Sequence, residues 1–177
     1  MLRVRTVQGY RKGEPFPLKI IKIDNKWMGI DTGLQWIRML RAAGEDGIRL
    51  RLNSAFRSNE EQTRLYEERK DPAVRAKKGG AARPGYSNHQ AGDALDIRTG
   101  MGAGDPNKKP RSQWTKTFAW LDQNAKRFGF ARTVSREPWH HVLVQTVERA
   151  DLITKSVGGV ATVVALAALV WLWMANR

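Results

Sequence analysis

Cysteine is absent from the 177 residues, which excludes a disulfide framework, a thiolate zinc finger, an iron–sulfur cluster and a cysteine nucleophile. Any metal site must therefore be built from histidine and carboxylates. Histidine is itself scarce, with three copies at His89, His140 and His141. Acidic residues are the minority charge. The 17 Asp and Glu stand against 31 Lys and Arg, a net +14 with histidine neutral, so the chain favours an acidic partner such as nucleic acid, anionic lipid or an anionic wall polymer. No internal repeat occurs. The stretch from Met1 to Tyr10 holds no apolar run long enough for the middle of a secretory signal, and the expectation is a chain not exported by that route.

What is present suits one core. Apolar residues make up 41% of the chain and tryptophan occurs seven times, while the mean hydropathy of −0.52 excludes a polytopic membrane protein. The length fits one domain rather than two. The exception lies at the end, where no residue from Ser156 to Asn176 is charged and Val160 to Trp173 is almost continuously apolar. As a helix that run reaches roughly 30 Å, enough to cross a bilayer. Lys155 and Arg177 bracket it, and Trp171 and Trp173 sit where indoles favour the membrane interface. The organisation expected is a domain over 1–150, a short linker over 151–156 and a transmembrane anchor helix over 157–175. A buried or self-associating C-terminal helix is the alternative, since Gly158-Gly159 weakens its start.

Along the domain the pattern alternates helix and strand. Thr32 to Ala43 carries Leu34, Ile37 and Leu40 at helical spacing and is stopped by Gly44, after which Ile48, Leu50 and Leu52 alternate with arginines as a half-buried strand. Ser58-Asn-Glu-Glu61 has capping-box spacing and opens a helix to about Lys70, which Asp71-Pro72 stops. Ala73 to Tyr86 reads as a basic, Gly-rich loop, Leu95 to Arg98 as a short strand, and Thr99 to Arg111 as a long loop. Ser112 is the expected cap of a helix lined by Trp114, Phe118, Leu121, Ala125 and Phe128 and stopped by Gly129. Trp139 to Gln145 reads as a strand.

Each histidine lies beside acidic residues: His89 precedes Asp93 and Asp96, and His140 follows Glu137. Hydrolytic zinc needs three protein ligands, an open fourth position for water, and a nearby carboxylate to take that water's proton. His89, Asp96 and one of His140 or His141 would supply the ligands, leaving Glu137 as the base. In a strand adjacent side chains face opposite ways, so only one of the paired histidines can face the site. Glu137, just before Pro138, sits at the irregular strand entry, free to lean toward the metal.

Ser87-Asn-His89-Gln-Ala-Gly92-Asp-Ala94-Leu-Asp96 fits S-x-H-x-x-G-x-A-x-D, and Glu137-Pro-Trp139-His140 fits E-x-W-H. With Ser54-Ala-Phe-Arg57-Ser58 upstream, these blocks resemble the zinc D-alanyl-D-alanine carboxypeptidases of the VanY type and the related phage L-alanyl-D-glutamate endopeptidases, over about residues 30 to 147. The resemblance implies an α+β domain of the hedgehog/DD-peptidase kind, a small antiparallel sheet with helices packed on it, beside the transmembrane helix. It makes His89, Asp96 and His140 the ligands of Zn2+ and Glu137 the catalytic base. Arg57 would hold the substrate's carboxylate or the developing oxyanion, Ser87 would contact the peptide, and Gln62 would help to position it. His141 has no role in the resemblance and would either support the site or be exposed.

The implied substrate is a peptidoglycan stem peptide, cut as a carboxypeptidase or as an endopeptidase. Such a substrate lies outside the cytoplasmic membrane, and the two termini together fit a phage lysin or a virion-associated wall hydrolase whose tail enters the membrane, with virion or homo-oligomeric association as a further expectation. The rival is a non-catalytic, membrane-anchored wall-binding or virion protein on the same fold, against which the intact set of His89, Asp96, Glu137 and His140 argues. Basic residues gather at Arg64, Arg69, Lys70, Arg75, Lys77, Lys78 and Arg83, and at Lys108, Lys109 and Arg111. They form either a solvated face or an attraction for anionic wall polymer or membrane, and no nucleic-acid-binding motif accompanies them.

Overall fold

Among the described residues, backbone ladders form two separate antiparallel sheets. The computed structural model describes residues 3–144, so the linker and anchor helix expected over 151–175 lie outside the described residues. Among the described residues no helix is long and apolar enough to cross a membrane.

The first sheet is a meander of β1 (Val4–Arg11), β2 (Glu14–Ile23) and β3 (Lys26–Gly29). Two-residue turns join its strands, at Lys12-Gly13 and at Asp24-Asn25, and all four turn residues have positive φ, the geometry that matches strand twist. One face presents Ile21, Ile23 and Met28 to α1 (Ile30–Glu45), which returns Thr32, Gln35, Trp36, Met39, Leu40 and Ala43 at helical spacing. Gly33 permits the close approach, because a Cβ there would lie 2.6 Å from Ile21 Cγ2.

The second sheet has the order β4 (Leu52–Ser54), β5 (Ala94–Ile97), β7 (His140–Leu143), β6 (Phe130–Ala131). The expected strand from Ile48 keeps its alternating burial, with Leu50 and Leu52 buried and Arg51 exposed, but it joins the ladder only from Leu52, opposite Ile97.

α2 (Asn59–Glu68) starts on the expected capping box: Glu61 N donates to Ser58 Oγ at 3.2 Å, and Ser58 N donates to Glu61 Oε2 at 3.1 Å. Asp71-Pro72 stops that run and also starts another helix. Asp71 Oδ1 accepts from Ala73 N and Val74 N, and Pro72 supplies a preset first turn for α3 (Pro72–Lys78). The loop expected from Ala73 is thus a helix until Lys78.

Thr99 to Arg111 is a loop with 3-10 turns at Pro106–Lys108 and Arg111–Gln113. Ser112 falls inside the second turn, and the cap of α4 (Lys116–Asn124) is Thr115, whose Oγ1 accepts from Phe118 N at 3.1 Å and whose hydroxyl also donates to Thr99 O. The correction has a local cause: the turn at Pro110 keeps Ser112 to Trp114 out of α geometry. Of the expected apolar face Phe118, Leu121, Ala125 and Phe128 are buried, the last two in a 3-10 turn over Ala125–Phe128 that Gly129 ends in the left-handed region, whereas Trp114 lies ahead of the helix and is half-buried.

Candidate active site

The register of the second sheet assembles the acidic and imidazole groups. Asp96 on β5 is the direct cross-strand partner of His140 on β7, and Ser54 on β4 pairs with Asp96 from the other side. Cross-strand partners share a face. His141, opposite Leu95, therefore faces the other way. His89 comes from the turn segment before β5. Its Nδ1 donates to Ala55 O at 2.6 Å, a buried contact that fixes the ring and leaves Nε2 for the site.

The result is a cluster of His89, Asp96 and His140 whose ligand atoms all lie within 4.8 Å of one another. Asp96 Oδ1 lies 3.1 Å from His140 Nδ1 and 3.4 Å from His89 Nε2, and the two ring centroids are 5.1 Å apart. Burial pushes the Asp96 carboxyl up, but hydrogen bonding to His140 and His89, with their charge, outweighs burial and holds it well below the usual carboxylate range.

The donor chemistry tests whether a metal fits. With its Nδ1 donating to Ala55 O, His89 turns Nε2 toward an Asp96 oxygen, and His140 Nδ1 faces that same oxygen. Side chains placed in this way can turn all three ligand atoms onto one cation. Two imidazole nitrogens and one carboxylate oxygen also match the three-ligand set of catalytic zinc.

Glu137 stands outside this cluster in a tight turn: its N–H donates to Val134 O at 3.1 Å, and its carbonyl accepts from His140 N at 3.0 Å. Its carboxylate has no hydrogen-bond or ion-pair partner among the described residues and is half-buried. Arg57, on the segment between β4 and α2, is aimed by Gln62. Its Nη1 donates to Gln62 Oε1 at 2.7 Å. Burial lowers the guanidinium's pKa, while the charges of Asp96, Glu61 and Glu137 oppose that effect and Arg69 adds to it. The field of the site thus reaches Arg57 from both carboxylates.

Gln62 is fully buried and engaged at both ends, since its Nε2 donates to Ala82 O at 2.6 Å. It orients Arg57 and ties α2 to the loop before Ser87. Ser87 is buried, with Oγ accepting from His89 N at 3.3 Å. His141 is buried rather than exposed, its Nδ1 donates to Trp139 O at 3.1 Å, and burial pushes its pKa down to about 4.

Sequence reasoning did not single out Gln90, which is fully buried. Its Oε1 accepts from Gly85 N at 2.8 Å and its Nε2 donates to Asn59 Oδ1 at 2.9 Å, joining the His89 segment to the start of α2. Gln90 and the Ala55 carbonyl occupy positions that no motif specifies, so neither carried a signal.

Comparison with known proteins agrees with this geometry. The model of the family described as VanY, D-alanyl-D-alanine carboxypeptidase, matches residues 25–145. A D-alanyl-D-alanine carboxypeptidase of Enterococcus faecalis (strain ATCC 700802 / V583) is 32% identical where aligned, covering 56% of this chain and 42% of that protein. The chain spans less than two thirds of the length of the curated relatives it matches. Among solved structures, a mutant of the vancomycin-resistance D,D-pentapeptidase VanY from a VanB-type cassette, in complex with Zn(II), aligns with a TM-score of 0.57 at 25% identity over 82% of this chain and 92% of that one. VanYB in complex with D-Alanine-D-Alanine aligns with a TM-score of 0.57 at 25% identity over 77% and 85%. The segments that carry His89, Asp96, His140 and Arg57 all lie inside the matched range, and the chain belongs to the VanY D-alanyl-D-alanine carboxypeptidase family.

Proposed function

We propose that this chain is a zinc-dependent carboxypeptidase that removes a terminal D-Ala from peptidoglycan stem peptides. The observation that carries the reading is the convergence of His89, Asp96 and His140, the last two on one face of a sheet, with a Glu137 carboxylate that has no hydrogen-bond or ion-pair partner among the described residues and an Arg57 that feels the charges of Asp96 and Glu137. Support also comes from relatives whose names carry D-alanyl-D-alanine carboxypeptidase activity, and from a neighbour bound to D-Ala-D-Ala.

His89 Nε2, an Asp96 oxygen and His140 Nδ1 would hold the ion. When bound, zinc supplies Lewis acidity that polarises the scissile carbonyl and acidifies water near neutral pH. The Glu137 carboxylate takes a proton from the attacking water and returns it to the leaving amine, so that the peptide bond breaks as a carboxylate and a free D-Ala form. Arg57 offers a planar fork for the substrate's terminal carboxylate or for negative charge growing on the scissile oxygen. Gln62 acts on substrate through Arg57, and Ser87 acts by holding the backbone of His89 and meeting the peptide.

Mass spectrometry of defined muropeptides incubated with the chain, with and without added zinc, tests the reading. Zinc-dependent loss of terminal D-Ala is expected. An internal cut would replace carboxypeptidase with endopeptidase. No zinc-dependent product from several wall types would overturn the enzymatic reading in favour of a wall-binding protein.

We further propose that residues 157–175 anchor the enzyme to a membrane beside the wall and that its delivery is phage-linked. The support is in the sequence, in the uncharged run from Ser156 to Asn176 and the basic domain ahead of it. Release of the chain from membranes by salt alone, without detergent, would contradict the anchor.

A further inference from the structure

The β1–β2 hairpin lies ahead of the residues that the family model matches, yet it touches the ligand-bearing segment repeatedly. Tyr10 N donates to Gln90 O at 3.1 Å, and Gly13 N at the hairpin tip donates to Gly85 O at 2.9 Å. Leu18 Cδ2 packs so closely on Gly92 that a Cβ there would lie 3.0 Å away, and Gly92 has a φ of +76° that other residues rarely adopt. Arg11 Nη2 reaches Asp93 Oδ2 at 2.6 Å, across 82 residues of sequence.

These contacts bracket His89 on both sides, at Gly85 and at Gln90 to Asp93, and the last of them is three residues from Asp96. Asp93 occupies an unspecified position of the S-x-H-x-x-G-x-A-x-D pattern, and Arg11 lies outside the family match altogether. Neither the motif nor the range of the family model therefore specifies the pair. Arg11 is 59% exposed, and exposed ion pairs contribute little to global stability. What a 2.6 Å guanidinium–carboxylate contact can do is restrict the segment it holds, and the segment held here carries two of the three metal ligands.

We propose that the β1–β2 hairpin is the positioning element for the His89–Asp96 segment, with Arg11 as the positioning residue that clamps it through Asp93. The proposal rests on the zinc-site reading above and extends it to residues that touch neither metal nor substrate. A hairpin fixed at its tip and along β1 sets the spacing between His89 Nε2 and Asp96 Oδ1, and loss of the clamp lets the two ligands drift apart without unfolding the sheet.

The test is Arg11→Ala in the full chain, read as zinc affinity by competition with a chromophoric chelator, as kcat and KM on a D-Ala-terminated peptide, and as Tm. Supporting molecules to ligands typically tune affinity by 10 to 100-fold when they touch the ligand directly, and Arg11 acts one step further out. The expected result is zinc affinity about tenfold weaker and kcat lower by about tenfold, with KM within about twofold and Tm within about 2 °C of the parent. Arg11→Lys should recover most of both losses, as should the exchange of Arg11→Asp with Asp93→Arg. Zinc affinity and kcat of Arg11→Ala both within about twofold of the parent would overturn the proposal. So would losses that accompany a large fall in Tm and that Arg11→Lys does not restore, since they would mark a purely structural contact. If the unsubstituted chain releases no D-Ala, the carboxypeptidase reading fails on its own, and zinc affinity still decides the role of the hairpin.

Discussion

The two sheets divide the work of the molecule between chemistry and support. The β4–β5–β7–β6 sheet presents Asp96 and His140 as cross-strand partners, so its register alone brings two side chains of the cluster together from 44 residues apart. The β1–β2–β3 sheet presents no ligand and no base. It gives the ligand segment backbone hydrogen bonds at Gly85, Gln90 and Gly92 and the Arg11 contact at Asp93. A site of this kind is specified by few side chains and stabilised by many generic contacts, and the two kinds of residue should respond differently to substitution.

The sharpest contrast lies in the ligands. Asp96→Ala removes the only carboxylate of the cluster and is expected to weaken zinc binding by more than about 100-fold and to abolish D-Ala release. His141→Ala, one residue from a ligand but facing away, is expected to keep the zinc. Equilibrium dialysis of both variants tests the facing assigned by the register, and the reverse result would exchange the roles of the paired histidines.

Gln62→Ala probes the support of Arg57. It leaves Ala82 O and one guanidinium donor without their partner, a cost of about 1–3 kcal/mol in stability, and it frees Arg57 to swing. We expect kcat/KM to fall by about 10 to 100-fold, chiefly through KM, with zinc retained. A fall carried by zinc loss instead would place Gln62 in support of the metal rather than of the substrate.

The last contrast is one of stability alone and concerns pH. Burial lowers the His141 pKa from 6.5 to about 4 in the folded chain, so between those values the unfolded chain binds the extra proton. Stability from this group is complete above about pH 6.5 and declines as pH falls toward 4, by on the order of 3 kcal/mol in total. Urea unfolding of zinc-free protein at pH 7 and pH 5, compared with His141→Gln, should give a steeper loss in the parent. Equal losses would show that another group carries the acid sensitivity.

The supporting sheet was the part least legible from sequence. β1 is mostly exposed on both faces, so it lacks the apolar alternation by which strands are recognised, and its only local signals are the Lys12-Gly13 and Asp24-Asn25 turns. It pairs locally with β2, while the hairpin's other backbone contacts reach Gly85 and Gln90, far away in the chain. The His89, Asp96 and His140 cluster was legible for a different reason. With no cysteine and three histidines the options were few, spacing alone left them open, and it was the resemblance of the S-x-H-x-x-G-x-A-x-D and E-x-W-H blocks to the VanY family that pointed to the three residues the fold brings together. Capping gave mixed returns: Ser58 and Glu61 behave as read, whereas at Ser112 a usable cap residue was passed over for Thr115, whose hydroxyl also reaches Thr99 O. At Asp71 one dipeptide serves both as a stop and as a start. Between His140 and His141 the strand pattern alone left the choice open and the resemblance favoured His140; the register puts His140 opposite Asp96 and turns His141 away.

The most direct test of the account separates metal holding from proton transfer at Glu137. Zinc content by mass spectrometry and D-Ala release are measured on the same preparation of Glu137→Ala. The account predicts about one zinc per chain, as in the parent, with turnover reduced by about 10² to 10⁴-fold. Loss of the zinc would make Glu137 a ligand, and turnover at the parent's rate with zinc retained would remove it from the chemistry; either result would contradict the account.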